Sequence, residues 1–135
     1  MKKSFLYIFI LSMLISGCEK DNLNIDPKEA ILGKWELIQQ GTSQDDLSEV
    51  PQLGYTEFID NKSYRYFNYD TEEYDYGDYT INDSVIIYYY YAVENGEIVD
   101  TISVSYYHTF RDKSTMVLEI DAPAMLRTFI YKKTN

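Results

Sequence analysis

The tripeptide Gly33-Lys34-Trp35 opens the part of the sequence that decides the fold. Residues 26–29 (DPKE) lie just before it and have the pattern of a helix start, because Asp can accept hydrogen bonds from free amides and Pro fits the first helical position. Gly33 follows within a turn or two, so the sequence predicts one helical turn. Residues 34–40 then alternate, with Trp35 and Leu37 on one face, which is typical of a β-strand.

The same alternation recurs to the end of the chain, between short turns rich in Asp, Asn and Gly. Fifteen tyrosines and six phenylalanines reinforce it, because aromatic residues favour strands. The polar segment 41–51 is predicted to be a loop. The eight predicted strands are 34–40, 55–59, 63–69, 74–81, 84–93, 98–110, 115–120 and 125–132. With no crossover helix between them, they predict an all-β fold, an antiparallel up-and-down barrel of eight strands.

The first 17 residues have the features of an export signal. Lys2 and Lys3 give a cationic start, and an apolar run from residue 5 to residue 15 follows. That run is shorter than the roughly 20 residues that span a bilayer, and it fits a secretory signal peptide. It ends in Leu14-Ile15-Ser16-Gly17-Cys18, which resembles the lipobox of bacterial lipoproteins.

The lipobox resemblance implies that residues 1–17 are a lipoprotein signal peptide and that Cys18 carries palmitate-type acyl chains. Cys18 is the only cysteine in the chain, so it has no disulfide partner. Residues 18–30 would then be the lipidated cysteine and an acidic tether. Residues 19–22 (EKDN) resemble the surface-export signals of Bacteroidetes lipoproteins. This resemblance implies an outer-membrane lipoprotein of the cell envelope, and it leaves the periplasmic and the outer-surface sides open.

The charge of the chain excludes one class of partner. The formal net charge is −10, and removal of residues 1–17 takes away Lys2 and Lys3 and no acidic residue, which leaves −12. Proteins bind phosphate backbones through Lys and Arg clusters, so nucleic acid is not an expected partner. Anionic lipid repels the same surface, so we expect membrane attachment through the lipid on Cys18.

A second resemblance concerns the barrel. Gly-Lys-Trp after one helical turn is similar to the Gly-x-Trp motif of lipocalins. The wider pattern, with Tyr55 to Phe58 and Gly77 to Ile81, resembles the small lipocalin-like domains of Bacteroidetes lipoproteins and covers residues 31–135. The resemblance implies that Trp35 plugs the closed end of the barrel and that a basic residue of the last strand lies across its indole. Arg127 is the candidate for this barrel-closing pair.

Few residues in the chain could perform catalysis. His108 is the only histidine, so a metal site built on two histidines is excluded, and no Gly-x-Ser-x-Gly motif is present. The acidic residues between 70 and 78 match no calcium loop and are expected to form a solvated turn. We therefore expect no catalytic residues, no metal and no cofactor. His108 lies on an apolar strand face and is predicted to belong to the core or to line the barrel.

The run 84–91 (SVIIYYYY) is apolar or aromatic on both faces. Val85, Ile87, Tyr89 and Tyr91 alternate with Ile86, Tyr88 and Tyr90. One face must be the core, and the other is predicted to be an exposed tyrosine surface or to be covered. Tyrosine suits wet protein interfaces and stacking on sugars.

Three hypotheses follow. The first is a non-enzymatic, lipid-anchored envelope protein that holds a small apolar or glycan-like ligand inside the barrel, with Trp35 at the base and Tyr106 and His108 as lining. The second is a protein-interaction or inhibitor module that binds an envelope protein through an exposed tyrosine face and the acidic loops. Tyr89 and Tyr91 are further candidate binding residues. The third is a hydrolase acting on glycans or lipids through a pair of carboxylates. A continuous interior cavity of about 300 Å³ or more would favour the first. A barrel filled by side chains, with an exposed tyrosine patch, would favour the second.

Overall fold

The computed structural model describes residues 24–120 and 126–135. The predicted signal peptide, Cys18 and residues 19–23 of the predicted tether lie outside the described residues. The described chain has one short helix, α1, and nine strands; no helix within it is long and apolar enough to cross a membrane. The elements are α1 Pro27–Ala30, β1 Gly33–Gly41, β2 Leu47–Glu49, β3 Gly54–Phe58, β4 Ser63–Asn68, β5 Tyr74–Ile81, β6 Val85–Glu94, β7 Glu97–Asp112, β8 Thr115–Ile120 and β9 Thr128–Thr134.

Eight antiparallel strands close into a barrel. β1 and β3 to β9 pair in chain order, and β9 returns to pair with β1 along seven residue pairs from Lys34 to Gly41. Closure removes the open edges at which sheets associate. The predicted all-β barrel of eight strands is confirmed.

The predicted loop 41–51 is wrong in one respect, because it contains the short strand β2. β3 pairs only with the first three residues of β1, which leaves the same side of β1 unpaired from Gln39 to Gly41. β2 fills that gap, with Gln39 opposite Glu49 and Gly41 opposite Leu47. The backbone groups of β1 are therefore paired on both sides at the C-terminal end of the strand.

The segment between β1 and β2 lies across the outside of the barrel. Gln44 donates from Nε2 to Glu119 (3.2 Å) and accepts from Arg111 Nη2 (3.0 Å). Val117 and Ile130 are paired on the outer face of β8 and β9, and each is only 2% exposed. Neither belongs to the core cluster inside the barrel.

The hairpin formed by β6 and β7 is longer than its neighbours. β6 pairs with β5 only as far as Tyr89, and β7 pairs with β8 only from Tyr106 onward. Between these points, residues 90–105 form a two-stranded ribbon beyond the barrel wall. We call this segment the ribbon. Its exposed apolar side chains include Val93, Ile98, Val99 and Ile102.

The other end of the barrel is closed by α1 and Trp35. Asp26 caps α1 by accepting from the backbone N–H of Lys28 at 2.9 Å, as predicted. Trp35 and Ile31 are fully buried, and the indole Nε1–H donates to the Ile31 carbonyl at 2.6 Å. Gly33 turns the chain from the helix into β1 at φ +109°, a conformation that L side chains rarely adopt.

The basic side chain over the Trp35 ring is that of Lys133, so the prediction of Arg127 is wrong. Lys133 lies opposite Trp35 in the β1–β9 register, with Nζ 5.1 Å from the ring centroid and 2.9 Å from the Ala30 carbonyl. The backbone N–H of Arg127 instead donates to the Gly41 carbonyl, at the opposite end of β1. The register of β9 decides the pair, and the sequence pattern does not show that register.

The core occupies the half of the barrel next to Trp35. It is a continuous cluster in which Phe58 and Tyr79 meet edge to face, with ring centroids 4.8 Å apart. Tyr79 also donates to the Asp60 carbonyl (2.6 Å), which fixes the β3–β4 turn against the core. The cluster comprises Ile31, Trp35, Phe58, Tyr64, Tyr79, Ile81, Ile86, Tyr88, Met116 and Leu118.

His108 belongs to this closed half and supports a turn. Its ring is 7% exposed, and Nε2 lies 2.6 Å from the Asn82 carbonyl, which can only accept. Nε2 therefore carries the proton, and Nδ1 is buried without a hydrogen-bond partner among the described residues. Burial lowers the pKa of His108, an effect partly offset by the Asn82 carbonyl and Asp83. The ring is neutral in the folded protein near pH 7.

Replacement of Lys133 by Met should destabilise the protein. The variant keeps much of the apolar stem and loses the cation over Trp35 and the hydrogen bond to Ala30, so the free energy of unfolding should fall by about 1–2 kcal/mol. Urea unfolding followed by Trp35 fluorescence measures it. The matched control is Lys132→Met on the outer face of the same strand, for which we expect a change within about 0.5 kcal/mol. Equal losses in the two variants would contradict the assignment of Lys133.

The neutral state of His108 predicts a pH dependence of stability. The unfolded chain takes up a proton as pH falls below its ordinary pKa of about 6.5, whereas the folded chain resists protonation, so unfolding becomes easier from pH 7.5 to pH 5. In His108→Gln the amide can still donate to Asn82 but does not titrate. Urea unfolding across this range should show a smaller loss of stability in the variant than in the original protein. Parallel profiles would mean that His108 does not titrate on unfolding.

Candidate ligand-binding site

The half of the barrel away from Trp35 is not filled by side chains. Two adjoining cavities of about 230 Å³ each lie in it and share the walls formed by Thr56, Tyr66 and Tyr131. We call them the loop compartment and the phenolic compartment. The loop compartment is lined by Trp35, Leu37, Gln40, Val50, Pro51, Leu53, Gly54, Thr56, Tyr66 and Tyr131. The phenolic compartment is lined by Thr56, Tyr64, Tyr66, Asp75, Tyr88, Tyr90, Tyr106, Leu118 and Tyr131.

Strand alternation creates the phenolic compartment. Successive inward positions of β4 are Tyr64 and Tyr66, and those of β6 end in Tyr88 and Tyr90. β5 lies between these strands and contributes Gly77 opposite Tyr64. A Cβ at position 77 would lie 2.5–2.7 Å from atoms of the Tyr64 ring, so the glycine leaves the space that this ring occupies. Six tyrosines thereby share one interior.

The tyrosine rings meet edge to face. Tyr64 and Tyr88 have centroids 5.2 Å apart at 90°, and Tyr88 and Tyr106 have centroids 5.8 Å apart at 86°. Tyr106 meets Phe129 in the same way, at 6.0 Å and 83°. Edge-to-face pairs are favourable because the positive edge of one ring meets the negative face of the next. The rings hold one another in place and do not close up into a parallel stack.

Four phenols of this compartment have a raised pKa. Burial raises the pKa of Tyr88, Tyr106 and Tyr131 above the ordinary value of 10. Burial also raises the pKa of Tyr64, and the neighbouring hydroxyl of Tyr90 and the carboxylates of Asp78 and Asp75 add to the effect. These four side chains therefore offer neutral hydroxyl groups that donate or accept hydrogen bonds.

The loop compartment is more apolar and lies under the segment between β2 and β3. Leu37 and Trp35 form its barrel side, and Val50 and Leu53 form its outer side. Two backbone hydrogen bonds hold the segment in place: Val50 donates to Ile38 (3.1 Å) and Tyr69 donates to Leu53 (2.9 Å). The two compartments together suit a ligand with an apolar part and a polar part.

The structure separates the five predicted binding residues. Trp35 is at the floor of the loop compartment, and Tyr106 lines the phenolic compartment. His108 lies at the closed end beside Asn82 and is not among the residues that line either compartment. Tyr89 and Tyr91 are on the outer face of β6, where Tyr91 donates to Asp78 at 2.8 Å.

A larger aromatic surface lies outside β3, β4 and β5. Tyr76 is its most exposed member, at 71%, and Arg65 lies over the Tyr74 ring at 4.4 Å while bonded to Glu57. Tyr55 and Tyr74 share a hydroxyl contact of 3.0 Å, which is the main reason that the pKa of Tyr55 rises to about 12. We call this surface the outer tyrosine face. Its members are Tyr55, Phe67, Tyr69, Tyr74 and Tyr76.

Sequence reasoning missed most of the phenolic compartment. Tyr66, Tyr90, Tyr131 and Asp75 were not predicted as site residues, and the tyrosines of β6 that were predicted point outward. The alternation of β6 was visible in the sequence, but it left open which face is inside. Burial of Ile86 (0% exposed) and Tyr88 (8%) decides that question and places Tyr90 at the cavity.

The lining offers little for acid–base or metal chemistry. The residues around the two compartments include one carboxylate, Asp75. Glycoside hydrolysis ordinarily needs two carboxyl groups that face each other across the substrate. Across residues 24–120 and 126–135, no three side chains of His, Cys, Asp or Glu come together as a metal site. The residues that line the two compartments therefore include no pair of carboxylates.

Comparison with known proteins supports the fold. No family model matches the chain, and no curated protein matches it. Two solved structures are similar: an uncharacterized protein from Bacteroides eggerthii DSM 20697 (TM-score 0.56, 15% identity, 77% of this chain and 99% of that one) and a lipocalin-like protein from Bacteroides uniformis ATCC 8492 (0.51, 16%, 78% and 99%). At such low identity the likeness concerns the fold alone, and that fold is the lipocalin-like barrel.

Proposed function

We propose that this chain is a lipid-anchored binding protein of the bacterial envelope that holds a small ligand, apolar or glycan-like, inside its barrel. The observation that carries the proposal is the pair of adjoining compartments above Trp35. An eight-stranded barrel can be filled by side chains or can hold one small ligand, and this one is filled only in its closed half.

The size of the cavities bounds the ligand. Each compartment has about 230 Å³, which is the volume of about eight water molecules at about 30 Å³ each. Ligand pockets start at about 300 Å³, so a ligand of ordinary size would occupy both compartments. Its apolar part would lie against Leu37 and Leu53, and its hydroxyl or amine groups would face the tyrosines.

The proposed anchor gives the barrel an orientation. Residues 24–30 lie at the closed end, so a lipid on Cys18 would attach that end to the membrane. The eight steps from Cys18 to Asp26 span at most about 28 Å when extended. The ribbon would then point away from the bilayer, and the cavities would lie in the half of the barrel distant from the membrane. A ligand arriving from the aqueous side would meet the binding half first.

The binding proposal predicts a small molecule bound to the protein purified from its own host. Native mass spectrometry should show a mass increase of one small ligand, lost on denaturation. In Thr56→Phe the added ring enters both compartments, so occupancy should fall at least tenfold. Thr80→Phe on the outer face of β5 is the matched control and should keep the ligand.

Two outcomes would contradict the binding proposal. One is a barrel without ligand from the host that also takes up no apolar or sugar probe. The other is equal occupancy in Thr56→Phe and Thr80→Phe, provided that both variants keep the circular dichroism spectrum of the original protein. The second result would place the ligand outside the barrel.

The second candidate function is a protein-interaction module, and the outer tyrosine face favours it. Tyr69, Tyr74 and Tyr76 are 40%, 37% and 71% exposed, and tyrosine is enriched at protein interfaces. The partner that fits is an envelope protein with a basic surface, because the adjacent turns are acidic. The same mass measurement distinguishes the candidates, since a protein partner would add kilodaltons instead of a small mass. The hydrolase alternative is less favoured because the lining includes a single carboxylate.

The anchor itself is tested by Cys18→Ser in the full chain. The serine cannot form the thioether to diacylglycerol, so radiolabelled palmitate incorporation should be abolished and the unprocessed precursor should accumulate. Ser16→Ala, which keeps a small residue before the cysteine, is the control and should still be labelled. Continued labelling of Cys18→Ser would overturn the lipobox interpretation.

A further inference from the structure

The charges of the chain are strongly segregated along the sequence. Residues 66–110 contain no Lys and no Arg, whereas they contain nine acidic residues. This stretch forms the end of β4, all of β5 and β6, and β7 as far as Phe110. It therefore includes the ribbon and five of the nine residues that line the phenolic compartment. The acidic residues are Asp70, Glu72, Glu73, Asp75, Asp78, Asp83, Glu94, Glu97 and Asp100.

The lining of the phenolic compartment has the same bias. Six tyrosines, one threonine, one leucine and Asp75 surround it, and none of these lining residues is Lys, Arg or His. Asp75 lies at the exposed end of the compartment, opposite Tyr66 in the β4–β5 register. A carboxylate ligand would find no cationic side chain in the lining, and the Asp75 carboxylate would repel it. Anionic ligands such as fatty acids are therefore disfavoured.

Positive charge is favoured by two separate features. Aromatic faces attract cations through their quadrupole, and cages of aromatic side chains recognise quaternary ammonium groups. Asp75 lies at the exposed end of the compartment, and further acidic residues lie on β5, β6 and β7, which we call the acidic wall. Together they raise the local concentration of cations. The rings of Tyr64, Tyr88 and Tyr106 are held edge to face, so these three are fixed before a ligand arrives and lose little freedom on binding.

We infer that the ligand of the phenolic compartment is a small organic cation, an ammonium group on an apolar or sugar body. The ammonium group would lie among Tyr66, Tyr90 and Tyr106 with Asp75 as its counter-ion. The body would extend past Thr56 into the loop compartment. The inference rests on the proposed function, because it names the chemical class of the ligand that the barrel holds.

A neutral ligand would use fewer of these features. The hydroxyl of a neutral sugar could bond to the phenols, but neither Asp75 nor the acidic wall would attract it more than water does. Leucine or phenylalanine side chains around the same space would serve an apolar ligand equally well. The combination of phenol rings with one carboxylate and no cation discriminates for positive charge.

The test compares cations with neutral molecules of the same shape. The full chain in detergent is titrated calorimetrically with choline and with 3,3-dimethyl-1-butanol, in which a carbon replaces the nitrogen. Glucosamine and glucose form the second pair, so the two pairs distinguish an apolar body from a sugar body. We expect at least one cation to bind tenfold or more tightly than its neutral counterpart, and we expect binding to weaken as salt is raised.

Single substitutions test which side chains produce the preference for cations. Asp75→Asn keeps the size of the side chain and removes its charge, so cation affinity should fall about fivefold to tenfold while neutral probes are unaffected. Tyr90→Leu should lower it similarly, whereas Tyr90→Phe, which keeps the ring, should stay within threefold. Asp100→Asn on the ribbon removes one charge away from the compartment and should change affinity by less than twofold.

Three outcomes would overturn the inference. If the neutral molecules bind as tightly as the cations, the barrel binds a ligand but not for its charge, and the proposed function stands without this inference. If the cations bind but respond equally to Asp75→Asn and Asp100→Asn, they bind to the general acidic surface. If no cation binds although the host-purified protein carries a small neutral molecule, the ligand class is wrong and the binding function is right.

Discussion

The hydrogen bond from the Trp35 indole to the Ile31 carbonyl is the contact on which the rest of the structure depends. It ties α1 to the first strand and buries the largest side chain of the chain at the base of the barrel. Lys133 completes the arrangement, because its ammonium group lies over the indole and bonds to Ala30. The first and last strands thus meet at one tryptophan, and the barrel closes there. Everything above Trp35 can remain open because the closed end is this well packed.

The sequence predicted the fold well because strand alternation and turn chemistry are local. β5 and β8 have the predicted bounds, and the single turn of helix is capped by Asp26 as expected. β2 was not predicted, since its three residues form a strand only because β3 leaves part of β1 unpaired. Arg127 was wrong for a related reason. A basic residue on the last strand was expected, but only the register between β1 and β9 selects Lys133.

The site was predicted less well because it depends on which face of each strand points inward. Tyr106 faces the interior, as the polar serines on the opposite face of its strand indicate. On β6 both faces are aromatic, and the sequence alone gave no preference between Tyr89 and Tyr90. His108 faces the interior, as Tyr106 does, but it lies two residues nearer the closed end of the barrel. There its ring donates a hydrogen bond to the Asn82 carbonyl. Position along the barrel axis, which alternation does not report, separates a lining residue from a core residue.

The two halves of the barrel differ in what their aromatic residues do. In the closed half, Phe58 and Tyr79 pack against each other and exclude water, which is the ordinary work of a core. In the other half, tyrosines occupy positions at which aliphatic residues would fill the space without burying a hydroxyl group. Buried hydroxyls need partners, so a tyrosine-lined cavity is a poor way to stabilise a fold and a good way to hold a polar ligand. The acidic wall of β5 to β7 adds a preference for positive charge to a barrel whose architecture has none of its own.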